Sequence, residues 1–162
     1  MKTKIIAVTI FCFAAAANVH GFGLGAQLNF SAGNIFAPGA ALVISPADQI
    51  HLAFNWYLDF KNVNTIGMTL DAQPLTLPLA NFKAGSINFT LGVGIFANVM
   101  FLEKPDVTGG LRVPFGLSLF LGKNVFEIYT HIAPSFGASL LPSLGLSNPF
   151  FPLALGARFW IR

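Results

Sequence analysis

The chain has 162 residues, of which 9% are charged and 54% apolar, with nine basic residues, six acidic ones and a single cysteine. An ordinary soluble domain carries roughly 25% charge. This composition has too little polar cover for a water-exposed surface, so water is not the main solvent of the folded chain.

At the N-terminus Lys2 and Lys4 precede an apolar run from Ile5 to Phe13 and a small-residue stretch from Ala14 to Ala17. That order is the layout of a secretory signal peptide, assigned here to residues 1–21, with the mature chain beginning between Asn18 and Phe22. Cys12 follows Phe11 and sits inside the apolar run rather than at its end, which argues against a lipoprotein anchor. Removing the segment takes Lys2, Lys4 and Cys12 with it. Seven basic residues then face six acidic ones, so no nucleic-acid partner is expected. A chain without cysteine is held by packing and hydrogen bonds rather than by disulfides. About 140 residues remain, enough for one domain over 22–162.

From Phe22 to Ser31 the chain alternates at a period of two: Phe22, Leu24, Ala26, Leu28 and Phe30 on one face, Gly23, Gly25, Gln27, Asn29 and Ser31 on the other. The polar face carries glycine, serine and amides where a soluble sheet would carry lysine and glutamate, so the strand is written for lipid outside and a narrow interior inside. His51 to Phe60 sets Leu52, Phe54, Trp56 and Leu58 against His51, Ala53, Asn55, Tyr57 and Asp59. Ala84 to Leu102 is a charge-free run long enough for a membrane helix, but Ile87, Phe89, Leu91, Val93, Ile95, Ala97 and Val99 share one face at period two. A helix would scatter its polar groups, and its β-branched and glycine content lowers helix propensity. Leu111 to Leu121 places Arg112, Pro114, Gly116 and Ser118 on the polar face, with Phe120 as the exception. Val125, Glu127, Tyr129 and His131 oppose Phe126, Ile128, Thr130 and Ile132, and from Phe151 to Ile161 the inward set is Ala154, Gly156, Arg158 and Trp160.

Strands are therefore predicted at 22–31, 36–45, 50–60, 64–80, 86–100, 109–121, 124–136 and 150–161. The fourth contains Asp71, Pro74 and Pro78, which shorten it, bulge it or turn part of it into external loop. Ser45-Pro46-Ala47-Asp48 and Gly122-Lys123-Asn124 read as tight turns, whereas Lys61 to Lys83, Glu103 to Gly110 and Gly137 to Pro149 read as long loops. Short turns at one end and long loops at the other are the habit of outer-membrane barrels, with both chain ends on the periplasmic side. In hydrocarbon an unpaired sheet edge has no water to satisfy it, so the sheet must close. The predicted fold is all-β: a closed, eight-stranded, antiparallel, up-and-down transmembrane β-barrel.

Arg112 to Ser118, Glu127-Ile128-Tyr129, Ala133 to Gly137 and Leu155 to Trp160 make the last third of the chain resemble a family of small, uncharacterised bacterial outer-membrane barrels within the OmpA/OmpX-like eight-stranded class. The first two thirds resemble it in layout, through His51 to Asp59 and Ile87 to Phe96. The resemblance implies an outer-membrane location and no set activity. It also implies insertion by the barrel-assembly machinery, which reads an aromatic last residue in such barrels; here Arg162 follows Ile161.

The interior of an eight-stranded barrel is just filled by side chains. Asp59, Arg112, Glu127 and Arg158 form the expected lumen charge network, as the pairs Glu127–Arg158 and Arg112–Asp59, with His51, Asn55, Tyr57 and His131 as further polar lumen residues. Paired, these side chains plug the lumen; able to exchange partners, they would gate a narrow pore for ions or small solutes. A lipid-modifying enzyme is the third reading. His131 and Ser135 share the inward face, but four strand residues span about 13 Å, beyond a nucleophile–base contact. No Gly-x-Ser-x-Gly, metal-ligand spacing or phosphate loop occurs, so no enzyme activity, cofactor or metal is expected. The predicted role is structural or one of adhesion and ligand binding at the surface. Its expected partners are outer-membrane lipid, the assembly machinery and an external protein ligand met through the long loops.

Overall fold

The computed structural model describes residues 21–32, 38–58 and 64–161. Apart from Gly21, the expected signal peptide lies outside them. The elements are β1 (Phe22–Ala32), β2 (Gly39–Ala47), β3 (Ile50–Leu58), β4 (Asn64–Phe82), β5 (Gly85–Phe101), β6 (Asp106–Arg112), β7 (Phe115–Leu121), β8 (Phe126–Ile132), β9 (Ser135–Leu141), β10 (Gly145–Leu146) and β11 (Phe151–Ile161). All pairings are antiparallel, and β11 pairs with both β1 and β8, which closes the sheet on itself.

Two of the barrel strands are interrupted by proline. β6 and β7 are separated at Val113-Pro114, and β8 and β9 at Ala133-Pro134. The register does not slip across either break: β5 pairs Gly94 with Arg112 before it and Leu91 with Phe115 after it, and Val113 donates its N–H to the carbonyl of Pro134. The missing proline N–H groups cost ladder bonds but not alignment. Each interrupted pair is therefore one wall strand, and with the β10 flap set aside the wall has eight strands. Following the register around the wall from Phe82 through Gly85, Leu121, Phe126, Phe159, Leu24, Ile44 and Leu52 returns to β4 at Leu70, well up the same strand. That stagger is what tilts the strands of a small barrel.

Three connections differ from expectation. Lys61 to Lys83 is not a long loop: β4 runs from Asn64 to Phe82 and reverses through Lys83-Ala84 into β5. Register shifts between Ala72 and Leu75 and between Pro78 and Ala80 absorb Pro74 and Pro78 as bulges, so the prolines bend the strand without ending it. Glu103 to Gly110 shrinks to a short turn because Asp106 to Gly110 pairs with β5. Gly137 to Pro149 is mostly a hairpin of β9 and β10. At the end that carries residues 22 and 161, the Gly122-Lys123-Asn124 turn has three residues at positive φ, at 60°, 59° and 67°, whereas the neighbouring turn falls at Asp48-Gln49 and leaves Ser45 in β2.

Alternation decides the two faces. Outward side chains are apolar and bare, as with Leu42 (68% exposed), Leu111 (66%) and Phe159 (60%), while inward Glu127 and Arg158 are 2% and 4% exposed. At the turn end β4 runs on past β3 beside β5, which is itself paired with β7 as far as Gly85↔Leu121. Beyond Ala72, the flank of β4 away from β5 has no partner strand among the described residues, because β3 begins at Ile50 opposite Ala72.

Candidate functional site in the lumen

The inward faces of the strands converge on a single polar column. Near the turn end, Arg158 on β11 and Glu127 on β8 are direct cross-strand neighbours, and the Arg158 Nη2 donates to Glu127 Oε1 at 2.9 Å. The other carboxylate oxygen accepts the indole N–H of Trp160 at 2.8 Å. Arg158 Nη1 also donates to Ser45 Oγ at 3.1 Å and closely approaches His51 Nδ1, which Ser45 Oγ meets at 2.8 Å. Arginine has no acceptor, so His51 Nδ1 accepts and the ring proton sits on Nε2. The guanidinium carbon lies 4.2 Å from the centre of the Tyr129 ring, adding a cation–π contact.

From Tyr129 the column runs two ways. Its hydroxyl donates to Gln27 Oε1 at 2.8 Å, Gln27 donates to Asn29 at 2.8 Å, and Asn29 donates to Asn55 at 2.9 Å. Its ring stacks on His131, with centroids 5.9 Å apart and planes 4° from parallel. His131 Nε2 accepts from Arg112 Nη2 at 3.2 Å, and Arg112 Nε lies 3.1 Å from Asp71 Oδ1. All of these side chains are buried, a cost that their mutual hydrogen bonds and ion pairs offset, although Arg112 Nε, Asp71 Oδ1 and Arg158 Nε make no hydrogen bond among the described residues.

Glycine makes the column possible. Gly94 on β5 pairs with Asp71 on one side and Arg112 on the other, so the two charges meet across it. A Cβ there would lie 2.0 Å from Asp71 Oδ1. A Cβ on Gly156 would lie 2.4 Å from the Tyr129 ring carbon that bears the hydroxyl. These are close approaches that only a missing side chain allows.

Above the column, towards the loop end, Tyr57, Phe96 and Phe150 form a buried aromatic layer, with Phe96 and Phe150 edge to face at 5.1 Å. Within the column only about 20 Å³ of space remains, beside Tyr129 and Arg158. Below it the lumen widens into a vestibule of about 340 Å³ at the turn end.

His51, Asn55, Tyr57, Arg112, Glu127, His131 and Arg158 are all inside the barrel and buried. Asp59 lies outside the described residues. Among the described residues the carboxylate that meets Arg112 is Asp71, which falls in the strand predicted at 64–80 and also in the Lys61 to Lys83 stretch that reads as a long loop. Sequence reasoning also missed Ser45, placed in a turn yet fully buried between Arg158 and His51. The period-two pattern carried the signal for Gln27, Asn29, Tyr129 and Trp160, but only the register reveals their partners. Ser135, which shares the inward face with His131, donates to the Ala133 carbonyl at 2.8 Å.

Compared with solved structures, the chain is similar to the N-terminal β-barrel domain of Pseudomonas aeruginosa OprF, at a TM-score of 0.50 and 13% identity, covering 88% of this chain and 98% of that one. What the two share is the barrel. No protein-family model matches, and no curated protein does. The resemblance to small outer-membrane barrels therefore rests on architecture, and the particular family has no matching model behind it.

Proposed function

We propose that the chain is an integral β-barrel protein of the bacterial outer membrane, exported by a signal peptide over residues 1–21 and inserted by the barrel-assembly machinery. Its lumen is plugged by the network around Glu127, Arg158, Arg112 and Asp71, and its role is structural or one of surface interaction. The observation that carries this reading is the inversion of the usual burial: Leu42, Leu111 and Phe159 stand bare on the outside while Glu127 and Arg158 are shut inside. Lipid outside accounts for both faces at once. The loop-end hairpin supports surface interaction, since Leu144 and Leu146 are 82% and 95% exposed and lie where an external protein would meet them. Catalysis has little support in a site whose histidines are engaged by arginines. Membrane fractionation with a denaturing gel of boiled and unboiled samples tests the reading: the protein pellets with the outer membrane and migrates differently before boiling. A mature chain soluble in plain buffer as a monomer refutes it.

One observation favours a second reading, a narrow gated pore. The small central space and the vestibule both border Ser118, Glu127 and Arg158, so at that level the seal is one layer of side chains thick. Planar-bilayer recordings on Glu127→Ala decide it, because conductance identical to that of the wild type ends the gating reading.

A further inference from the structure

His51 on β3 and Asp71 on β4 are direct cross-strand partners, both buried in the lumen, yet each is held by an arginine on another strand. His51 Nδ1 meets Arg158 Nη1 of β11 and lies 2.8 Å from Ser45 Oγ of β2. Asp71 leans the other way, over Gly94 of β5, with its Oδ1 3.1 Å from Arg112 Nε. Side chains opposite one another on neighbouring strands have Cβ atoms about 4.5–5.5 Å apart. A change of rotamer therefore brings this imidazole and this carboxylate into contact.

Neither residue is fully satisfied where it stands. Asp71 Oδ1 accepts no hydrogen bond among the described residues, so its contact with Arg112 is one of charge alone. His51 accepts from Arg158 only while its ring is neutral. One proton taken up at Nδ1 removes that acceptor, sets two cations against each other and supplies the N–H that Asp71 lacks. The other ionisable groups around the pair are engaged elsewhere. Glu127 holds Arg158 and Trp160, Tyr129 donates to Gln27, and His131 accepts from Arg112. Asp48, at the β2–β3 turn, borders the vestibule but not the central space, whereas His51 borders both. A proton entering from the turn end thus reaches His51 without crossing the polar column.

We propose that His51 and Asp71 form an acid-operated switch between the Glu127–Arg158 cluster and the Arg112–Asp71 cluster. In the neutral arrangement His51 belongs to Arg158 and Asp71 to Arg112. One proton from solvent, bound at His51 Nδ1, turns the ring to Asp71 and comes to rest in an N–H···O bond between β3 and β4. Arg158 stays with Glu127, while Arg112 loses its carboxylate and keeps His131. The proposal rests on the register of the barrel and not on membrane location, so a failure of one leaves the other standing.

The test is NMR of the whole folded chain in dodecyl maltoside micelles, with 15N-labelled histidine and 13C-labelled aspartate, titrated from about pH 8 to about pH 4. At the alkaline end the His51 ring, assigned by its backbone correlations, is expected to be neutral with its proton on Nε2. On acidification the His51 nitrogens and the Asp71 carboxyl are expected to move with one shared midpoint, because a coupled pair titrates as a unit. Asp71→Asn should lower the His51 midpoint by about one pH unit, a tenfold loss of proton affinity. Asp106→Asn, at the loop end, should leave it in place. The shared midpoint is read on the unmodified chain, so the outcome does not depend on Asp71→Asn folding. Midpoints more than about one unit apart, a His51 ring that stays neutral over the whole range, or a midpoint that Asp71→Asn moves no more than Asp106→Asn does would overturn the proposal.

Discussion

Replacing Glu127 with alanine leaves the Arg158 guanidinium without its counter-charge and the Trp160 indole without its acceptor. Breaking a buried ion pair from one side costs about 3–5 kcal/mol. Arg158 keeps Ser45, His51 and the Tyr129 face, and the vestibule brings solvent near, which sets its share at the low end, about 3 kcal/mol. An indole N–H left unpaired adds about 1 kcal/mol, for a total near ~4 kcal/mol. Glu127→Gln retains an acceptor for Trp160 and a neutral one for Arg158, so its loss should be about half as large. Pairing Glu127→Leu with Arg158→Met removes both charges and should destabilise less than Glu127→Ala alone. Urea titration of the folded chain in thin-lipid vesicles, read by the mobility of unboiled samples and by Trp160 emission in a Trp56→Phe background, measures the series. A Glu127→Ala loss below about 1 kcal/mol, or a double variant weaker than the single one, refutes the assignment of this pair as a dry, structural contact.

Gly94→Ala places a methyl 2.0 Å from Asp71 Oδ1 and 2.7 Å from the Leu70 carbonyl, and overpacking of this kind costs about 1–3 kcal/mol. Gly145→Ala, with nothing within 4 Å, should change stability by under about 0.5 kcal/mol in the same titration. Leu42→Arg puts a charge on the outward belt and should cost about 2–4 kcal/mol if that belt meets lipid. Leu146→Arg at the loop end should be neutral, and equal losses for the two would contradict the assignment of the faces. Wild-type chain in planar bilayers should give no resolved conductance, since the aromatic layer and the polar column lie in series; a steady open level of the unmodified protein would show that one of them does not seal.

Most of the wall is legible in the sequence, because a strand with one apolar outer face and one face in a crowded lumen leaves each residue only two environments. The run from Phe22 to Ser31 therefore predicts both its strand and its faces. What one sequence does not carry is register. Both Arg112 and Asp59 read as lying near the loop end, and nothing in the sequence shows that Gly94, between two strands, brings Asp71 within reach of Arg112. The segment around Asp71 carries mixed signals: it falls in the strand predicted at 64–80, but Pro74 and Pro78 signal a loop locally, and pairing with β5 across two bulges keeps it extended. Ser45 shows the same limit, since Ser-Pro-Ala-Asp has turn chemistry yet Ser45 is held in β2 by Arg158 and His51.

The bare flank of β4 beyond Ala72 bears on how copies of this protein behave when crowded together. A straight, fully equipped strand edge with Leu75, Leu77 and Phe82 beside it would let a second chain zip on and seed fibrils. Two prolines remove two of its donors, and two bulges spoil the spacing of those that remain. The far end of β4 can thus form a bare edge of the wall without becoming a template for self-association.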